Sequence, residues 1–360
     1  MKWKPDWPEA RTNHLKWWRR QGMVLWLTAP RPGPVEPIAR PDRPDDLLRR
    51  WTDPVYRSDA EEHPLSRTAH LADAFPVLST QIGPGSLGTF LGSRPEFAET
   101  TVWYRPCIDD PEAFGPIRFE PTGNHWLDVH LALVDEALRR ADGRYFVGLP
   151  DLIENLDTLA ALRDTERLMV DLIERPQWVL EKLHEINEAF FAAFDIFYER
   201  VRAADGGGNV FVFGIWGPGR TAKVQCDLAC MLSPAMFRRF VVPGLTAQCD
   251  WLDYSMFHLD GEDATQHLDA LLEIDSLNAV EWTPRLLYTG EADEAGGSPK
   301  WYDLYRRIQA GGKGVQAICV RPEQVVPLLD AVGPEGMYLS VHAPDLETAE
   351  GLLRDVEPFR

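Results

Sequence analysis

A single α/β domain closed as a (β/α)8 TIM barrel, with an irregular N-terminal arm packed on it, is the fold class that the sequence predicts. Three observations predict it. Eight short apolar runs punctuate the chain, most of them continuous, and such runs suit strands covered on both faces. Helical patterns separate the later runs, and strand–helix alternation implies a parallel sheet. No linker divides the 360 residues, a length that barrels reach as one unit. The doubly wound alternative lacks its phosphate loop, since no G-x-G-x-x-G follows the first run.

Residues 1–70, rich in Pro, Arg and Trp, read as the arm, and residues 71–360 as the barrel. The first strand, Val24–Thr28, falls within the arm's span. Val77–Ile82 is the second. Residues 83–140 lack clean periodicity and carry Gly83-Pro84-Gly85 and Trp103-Tyr104-Arg105, which suits an insertion acting as a lid. Tyr145–Leu149 follows, and then the span Leu156–Arg202, which holds at least two helices split near Arg175-Pro176. Gly206-Gly207-Gly208 ends the second helix. The remaining strands are Val210–Ile215, Ser255–Leu259, Leu277–Trp282, Val315–Val320 and Met337–Val341. Helices are expected over Pro234–Leu252, with Ser233 as N-cap and Pro234 at its first position, and over Ala264–Leu272, Trp301–Ala310, Pro322–Val332 and Leu346–Val356.

A formal charge of −19 argues against nucleic acid and anionic membrane as partners, because both need basic patches. Apolar residues make up 44%, enough for a large core. Five cysteines, an odd number in a long chain, fit a reducing compartment better than a disulfide framework. The first residues lack the apolar core of a signal peptide, and no run approaches a membrane span, so a cytoplasmic location is expected. A small-molecule substrate and a homodimer complete the expected partners.

Chemistry is sought at strand exits, because barrels carry their sites there. His258 and Asp260 close one strand two residues apart and therefore face one way. His342 closes the last strand. Together these three make a metal-competent set suited to zinc or another divalent metal, or to non-haem iron. A plain hydrogen-bonded His–Asp pair ordering the loop before Gly261 is the alternative. Glu281 ends the next strand as a general base, a ligand or a salt-bridge partner. Asp151, after Pro150, and Asp227, before a helix, are candidate catalytic carboxylates, with a turn or cap as the competing role for Asp151 and helix capping for Asp227. Trp216, Trp282 and Trp103 suit walls for a flat or apolar substrate, with core packing as the competing role. Arg220, in the turn Gly217-Pro218-Gly219-Arg220, and Arg105 suit a substrate carboxylate or simple exposure to solvent. Cys226 and Cys230 lack a second pair and read as core thiols.

The chain resembles the uroporphyrinogen decarboxylase superfamily. The resemblance rests on Phe146-Val147-Gly148-Leu149-Pro150-Asp151, on Leu162-Arg163-Asp164-Thr165-Glu166 leading to Asp171-Leu172-Ile173, and on Met231-Leu232-Ser233-Pro234-Ala235-Met236-Phe237 up to Pro243. The strand ends at His258 and His342 complete it, and it covers roughly residues 75–360 in order. It implies a (β/α)8 barrel. In the methylcobamide:coenzyme M methyltransferase branch, an H-x-C motif and a distant Cys hold zinc. His258 matches that histidine, Asp260 stands where the cysteine would be, and His342 stands near the distant cysteine.

The resemblance implies metal-dependent methyl transfer between a corrinoid, carried by a separate protein, and a thiol or other small acceptor. Glu281 and Asp227 would support the metal ligands or move protons. A metal-free decarboxylase or lyase acting on a porphyrin-related or aromatic acid is the alternative, with His342 and Asp151 positioning substrate. Arg19-Arg20-Gln21-Gly22 is only a partial echo of the arginine-rich loop of true decarboxylases. A tetrapyrrole- or corrinoid-binding barrel without turnover is the third reading.

Overall fold

Five of the eight apolar runs pair into one large sheet. The structure is a computed structural model that describes residues 1–204, 206–285 and 291–360. Thirteen strands are assigned among them. They are β1 (Val24–Pro30), β2 (Thr68–Ala72), β3 (Val77–Leu78), β4 (Arg94–Phe97), β5 (Val102–Arg105), β6 (Phe146–Val147) and β7 (Asn209–Phe211). β8 (Ile215–Gly217), β9 (Thr221–Gln225), β10 (Tyr254–Asp260), β11 (Ala279–Thr283), β12 (Gly314–Val320) and β13 (Met337–His342) follow.

Seven strands form one sheet in the order β2-β1-β13-β12-β11-β10-β9. From β1 to β9 every neighbour is parallel, and β2 is antiparallel to β1. The first long strand thus lies beside the last. β3 and β6 pair in parallel outside this ladder, and a parallel bridge from Gly148 to Val210 continues them to β7. Asn209 ties β7 to β9, donating from Nδ2 to Thr221 O (2.8 Å) and accepting from Thr221 N (2.9 Å). Asp73, just before β3, accepts from Leu25 N (2.9 Å) and donates its own N–H to Leu25 O (3.0 Å).

One expected strand is broken. Val210–Ile215 was expected to run straight, but the chain turns at Val212–Gly214 and returns antiparallel as β8 before β9 resumes the sheet direction. Both limbs are buried, so the apolar run hides the reversal. Phe213 and Gly214 make the turn with positive φ of 62° and 68°. Gly214 is required there, because a Cβ would meet the Trp26 ring at 2.8 Å.

The helices follow their sequence signals with two refinements. Pro234–Leu252 divides into Pro234–Phe240 and Val242–Trp251, since Pro243 leaves no N–H to continue the first. Ser233 caps it, accepting from Met236 N at 3.3 Å. Leu156–Arg202 becomes three helices, Asn155–Arg163, Thr165–Glu174 and Pro176–Val201. The longest begins with Pro176 and buries Val179, Leu183, Ile186, Phe190, Phe194 and Phe197 at helical spacing.

Residues 1–70 are more regular than expected. They contain helices Trp7–Trp18, Leu47–Thr52 and Pro54–Ser66 besides β1, leaving 31–46 irregular. The first helix closes the N-terminal end of the sheet. Trp17 Nε1 donates to Gly336 O (3.0 Å), Trp18 Nε1 to Trp216 O (2.8 Å), and Trp7 lies edge-on to Phe75, Phe146 and Trp216. Residues 83–140 hold helix Ser86–Phe90, the β4–β5 hairpin and helix His125–Ala141. No described helix is long and apolar enough to cross a membrane.

Two histidines make stability depend on pH. His130 is buried between Trp126 O (2.7 Å) and Ser86 Oγ (2.8 Å), and burial depresses its pKa to about 4. His70 is depressed to about 4, first by burial and then by Lys4. Below pH 6.5 the unfolded chain binds these protons and the native one does not, so stability falls as pH drops towards 4. The slope is up to about 1.4 kcal/mol per pH unit for each group. Urea titrations across this window should show the loss, and His130→Gln should flatten it; an unchanged slope would remove His130 as a cause.

Candidate metal centre at the strand exits

The parallel register sets Gln225, His258, Glu281, Gln316 and Tyr338 in one row on one face of the sheet. Lys223 and Asp260 share that face at two residues' spacing. The Val212–Gly214 turn lies over it. Gln316 Nε2 donates to Phe213 O (2.9 Å) and Tyr338 Oη to Gly214 O (3.0 Å). The Phe213 ring stacks on His258 with centroids 4.9 Å apart.

His258 is oriented from behind. Its Nδ1 bonds Glu281 Oε2, while Glu281 Oε1 accepts from Thr283 Oγ1 at 2.8 Å. Glu281 is fully buried, so both its oxygens are spent on these partners. Its acceptor role puts the proton on Nδ1 and leaves the Nε2 lone pair for a ligand. Burial works against the charged imidazole, but the charge and hydrogen bond of Glu281 raise its pKa above the ordinary value.

Asp227, His258 and Asp260 converge, each offering one ligand atom within 4.8 Å of the others. Asp227 is placed by Asp157, which accepts from Asp227 N (2.7 Å) and Leu228 N (3.0 Å). Burial, then the charge of Asp227, lifts Asp157 to about 7. Asp260 is also raised, by burial first. Deeper on the same face Lys223 pairs with Asp151 at 2.8 Å and donates to Gln225 Oε1. Glu154, buried and shifted well above its ordinary pKa by that burial, accepts from Gln225 N at 2.8 Å.

The expected residues divide clearly. His258, Asp260 and Glu281 come together, and Asp227, expected as a supporting or acid–base group, stands inside the cluster. His342 is not brought in. It is exposed, and its Nδ1 lies 3.0 Å from Thr28 Oγ1. β13 lies three strands from β10, roughly 14 Å at normal strand spacing.

Three expected substrate contacts are corrected. Trp282 is fully buried on the opposite face of β11 from Glu281 and packs on Trp301. Trp216 is buried against the first helix, with the Arg11 guanidinium 5.3 Å from its ring. Arg220 is carried by the chain reversal to the N-terminal end of β9. There it pairs with Asp195 (2.8 Å) and lies over Trp251. By contrast, Trp103 and Arg105 line a cavity of about 810 Å3 with Asp157, Asp164 and Asp227. Trp103 is 67% exposed, and Arg105 pairs with Glu96 at 2.7 Å. Cys226 is buried as expected, whereas Cys230 is exposed and its Sγ donates to Asp227 O at 3.2 Å. Lys223, Glu154, Asp157 and Phe213 escaped the sequence reading. A Lys flanked by Ala222 and Val224 was the available signal.

No protein-family model and no curated protein sequence matches the chain. Among solved structures it is similar to a methyltransferase from Methanosarcina mazei, with a TM-score of 0.60 over 96% of this chain and 98% of that one, at 11% identity. A likeness at that identity shows a shared α/β fold.

Proposed function

We propose that the chain is a metal-dependent methyltransferase of the uroporphyrinogen decarboxylase superfamily, built as one closed (β/α)8 barrel. It would move a methyl group between a corrinoid on a separate cytoplasmic protein and a thiol or other small acceptor. The convergence of Asp227, His258 and Asp260, with Glu281 fixing His258, carries this reading. The likeness to a methyltransferase supports it. Barrel closure is supported by eight strand positions, β1, β3, β6, the β7–β9 composite and β10 to β13, and by the Asp73–Leu25 bonds across the gap between β1 and β3.

One imidazole nitrogen and two carboxylates fit a divalent cation of intermediate to hard character, zinc or iron among them. Such an ion lowers the pKa of an acceptor thiol or water. The chain's own residues do the rest. Glu281 fixes the tautomer and plane of His258, Asp157 holds the Asp227 loop by two backbone bonds, and Phe213 shields one face of the imidazole from water. The metal-free lyase reading has less support. A polycarboxylate entering the larger cavity would meet Asp157, Asp164 and Asp227, with Arg105 already paired.

Elemental analysis of the purified protein beside His258→Ala tests the proposal. Near-stoichiometric zinc or iron, lost in the variant, is the expected result. No metal after zinc is offered at neutral pH would sink it.

A further inference from the structure

A second cavity, of about 350 Å3, opens beyond Phe213. Val77, Leu149, Phe211, Val212 and Phe213 give it apolar walls, and Ser79, Gln81 and Asp151 give it polar groups. Phe213 is a shared wall, since its ring also stacks on His258. Among the described residues Asp151 is the one charged group in the lining, is 7% exposed, and is matched by the buried ammonium of Lys223 at 2.8 Å. The pair leaves no net charge facing the space. Asp151 Oδ2 accepts from Lys223 Nζ (3.1 Å), and Oδ1, in ion-pair contact with the same ammonium, is itself closed off by burial. Among the described residues the Ser79 hydroxyl and the Gln81 side-chain amide show no hydrogen bond. Unspent hydrogen-bonding capacity beside apolar walls, without a free charge, is the chemistry of a pocket for an uncharged molecule.

We infer that this cavity binds a small uncharged molecule with an apolar body and a hydroxyl- or amide-type polar end that meets Ser79 and Gln81 beside the Asp151–Lys223 pair. Only the role given to that molecule, the methyl acceptor, rests on the methyl-transfer reading. Among the described residues of the lining an anion finds no free cation, because Lys223 is committed to Asp151. A cation has to compete with Lys223 for the same carboxylate. The charge balance of the Asp151–Lys223 pair is therefore the specificity device, and unbalancing it should change the class of ligand.

The test uses three thioethers of one length that differ at the polar end: 2-(methylsulfanyl)ethanol, 2-(methylsulfanyl)ethylamine and 2-(methylsulfanyl)ethanesulfonate. Binding to the full chain is read by saturation-transfer NMR titration. The alcohol is expected to bind tightest, with the ammonium and sulfonate roughly tenfold weaker, the scale of a buried polar group left unpaired. Val212→Trp, on a half-buried wall, should fill the cavity and abolish alcohol binding. Asp151→Asn should free the Lys223 charge and turn the preference to the sulfonate. Tightest binding of either ion by the unaltered chain, or alcohol binding untouched by Val212→Trp, overturns the inference. The order shown by the unaltered chain decides even if Asp151→Asn does not fold. The alcohol should still bind His258→Ala, so loss of the metal centre and loss of the pocket are separate results.

Discussion

Glu281→Gln should weaken divalent-metal binding about 10- to 100-fold with the fold kept, the usual scale for removing a group that orients a ligating histidine. A carboxylate can only accept from Nδ1–H of His258. An amide can instead present its NH2 while its oxygen accepts from Thr283, and Nδ1 must then accept. The imidazole proton moves to Nε2 and covers the lone pair that faces Asp227 and Asp260. A competition titration against a chromogenic chelator reads the change, and affinity equal to that of the unaltered chain would remove Glu281 from the centre. The pH dependence carries a second signature. Glu281 raises the His258 pKa against burial, so protons compete with the metal to a higher pH than at an ordinary imidazole, and affinity should climb with pH through that range. In Glu281→Gln the plateau should arrive at lower pH.

Lys223→Met should cost about 3–5 kcal/mol of stability, the range for removing one partner of a buried ion pair. Lys223 is 2% exposed. Burial disfavours its charge, yet Asp151 and Glu154 hold its pKa above the lysine range, so the ammonium is charged in the native state. Methionine fills the volume but leaves Asp151 facing Glu154 without a cation. The deficit should shrink as pH falls from 7 to 5, because the orphaned carboxylate can then take a proton. Urea unfolding at both pH values measures it, and Lys223→Met with Asp151→Leu should recover much of the loss. A single variant within about 1 kcal/mol of the unaltered chain would show that the pair is not structural.

The sequence made β10 and β11 legible because each is a short apolar run with its polar residues at the exit, and parallel register then set Glu281 beside His258. Asp227 could be named but not placed, since its position depends on a chain reversal between Phe211 and Thr221 that apolar composition conceals. The left-handed Phe213-Gly214 turn is the local cause, and one glycine in an apolar run is a weak sign of it. His342 was legible as a strand end, but its distance from His258 is a matter of strand order, which no local pattern reports. The tryptophans misled for a related reason. Adjacent strand residues point to opposite faces, so Trp282 beside Glu281 had to face away from the site. Lys223 was passed over because Thr221–Gln225 alternates polar and apolar residues and is not one of the apolar runs read as strands.

The pairing of β1 with β13, and the bond from Trp17 to Gly336, have a consequence for how the chain is made. A ribosome delivers Trp7–Trp18 long before its partners at Gly336, 319 residues after Trp17, and Tyr338. Until β13 has emerged, an indole-rich helix has no finished surface to bury against. Packing of this helix is therefore completed only once β13 has been made, and a chain stopped short of β13 would present it to chaperones and proteases.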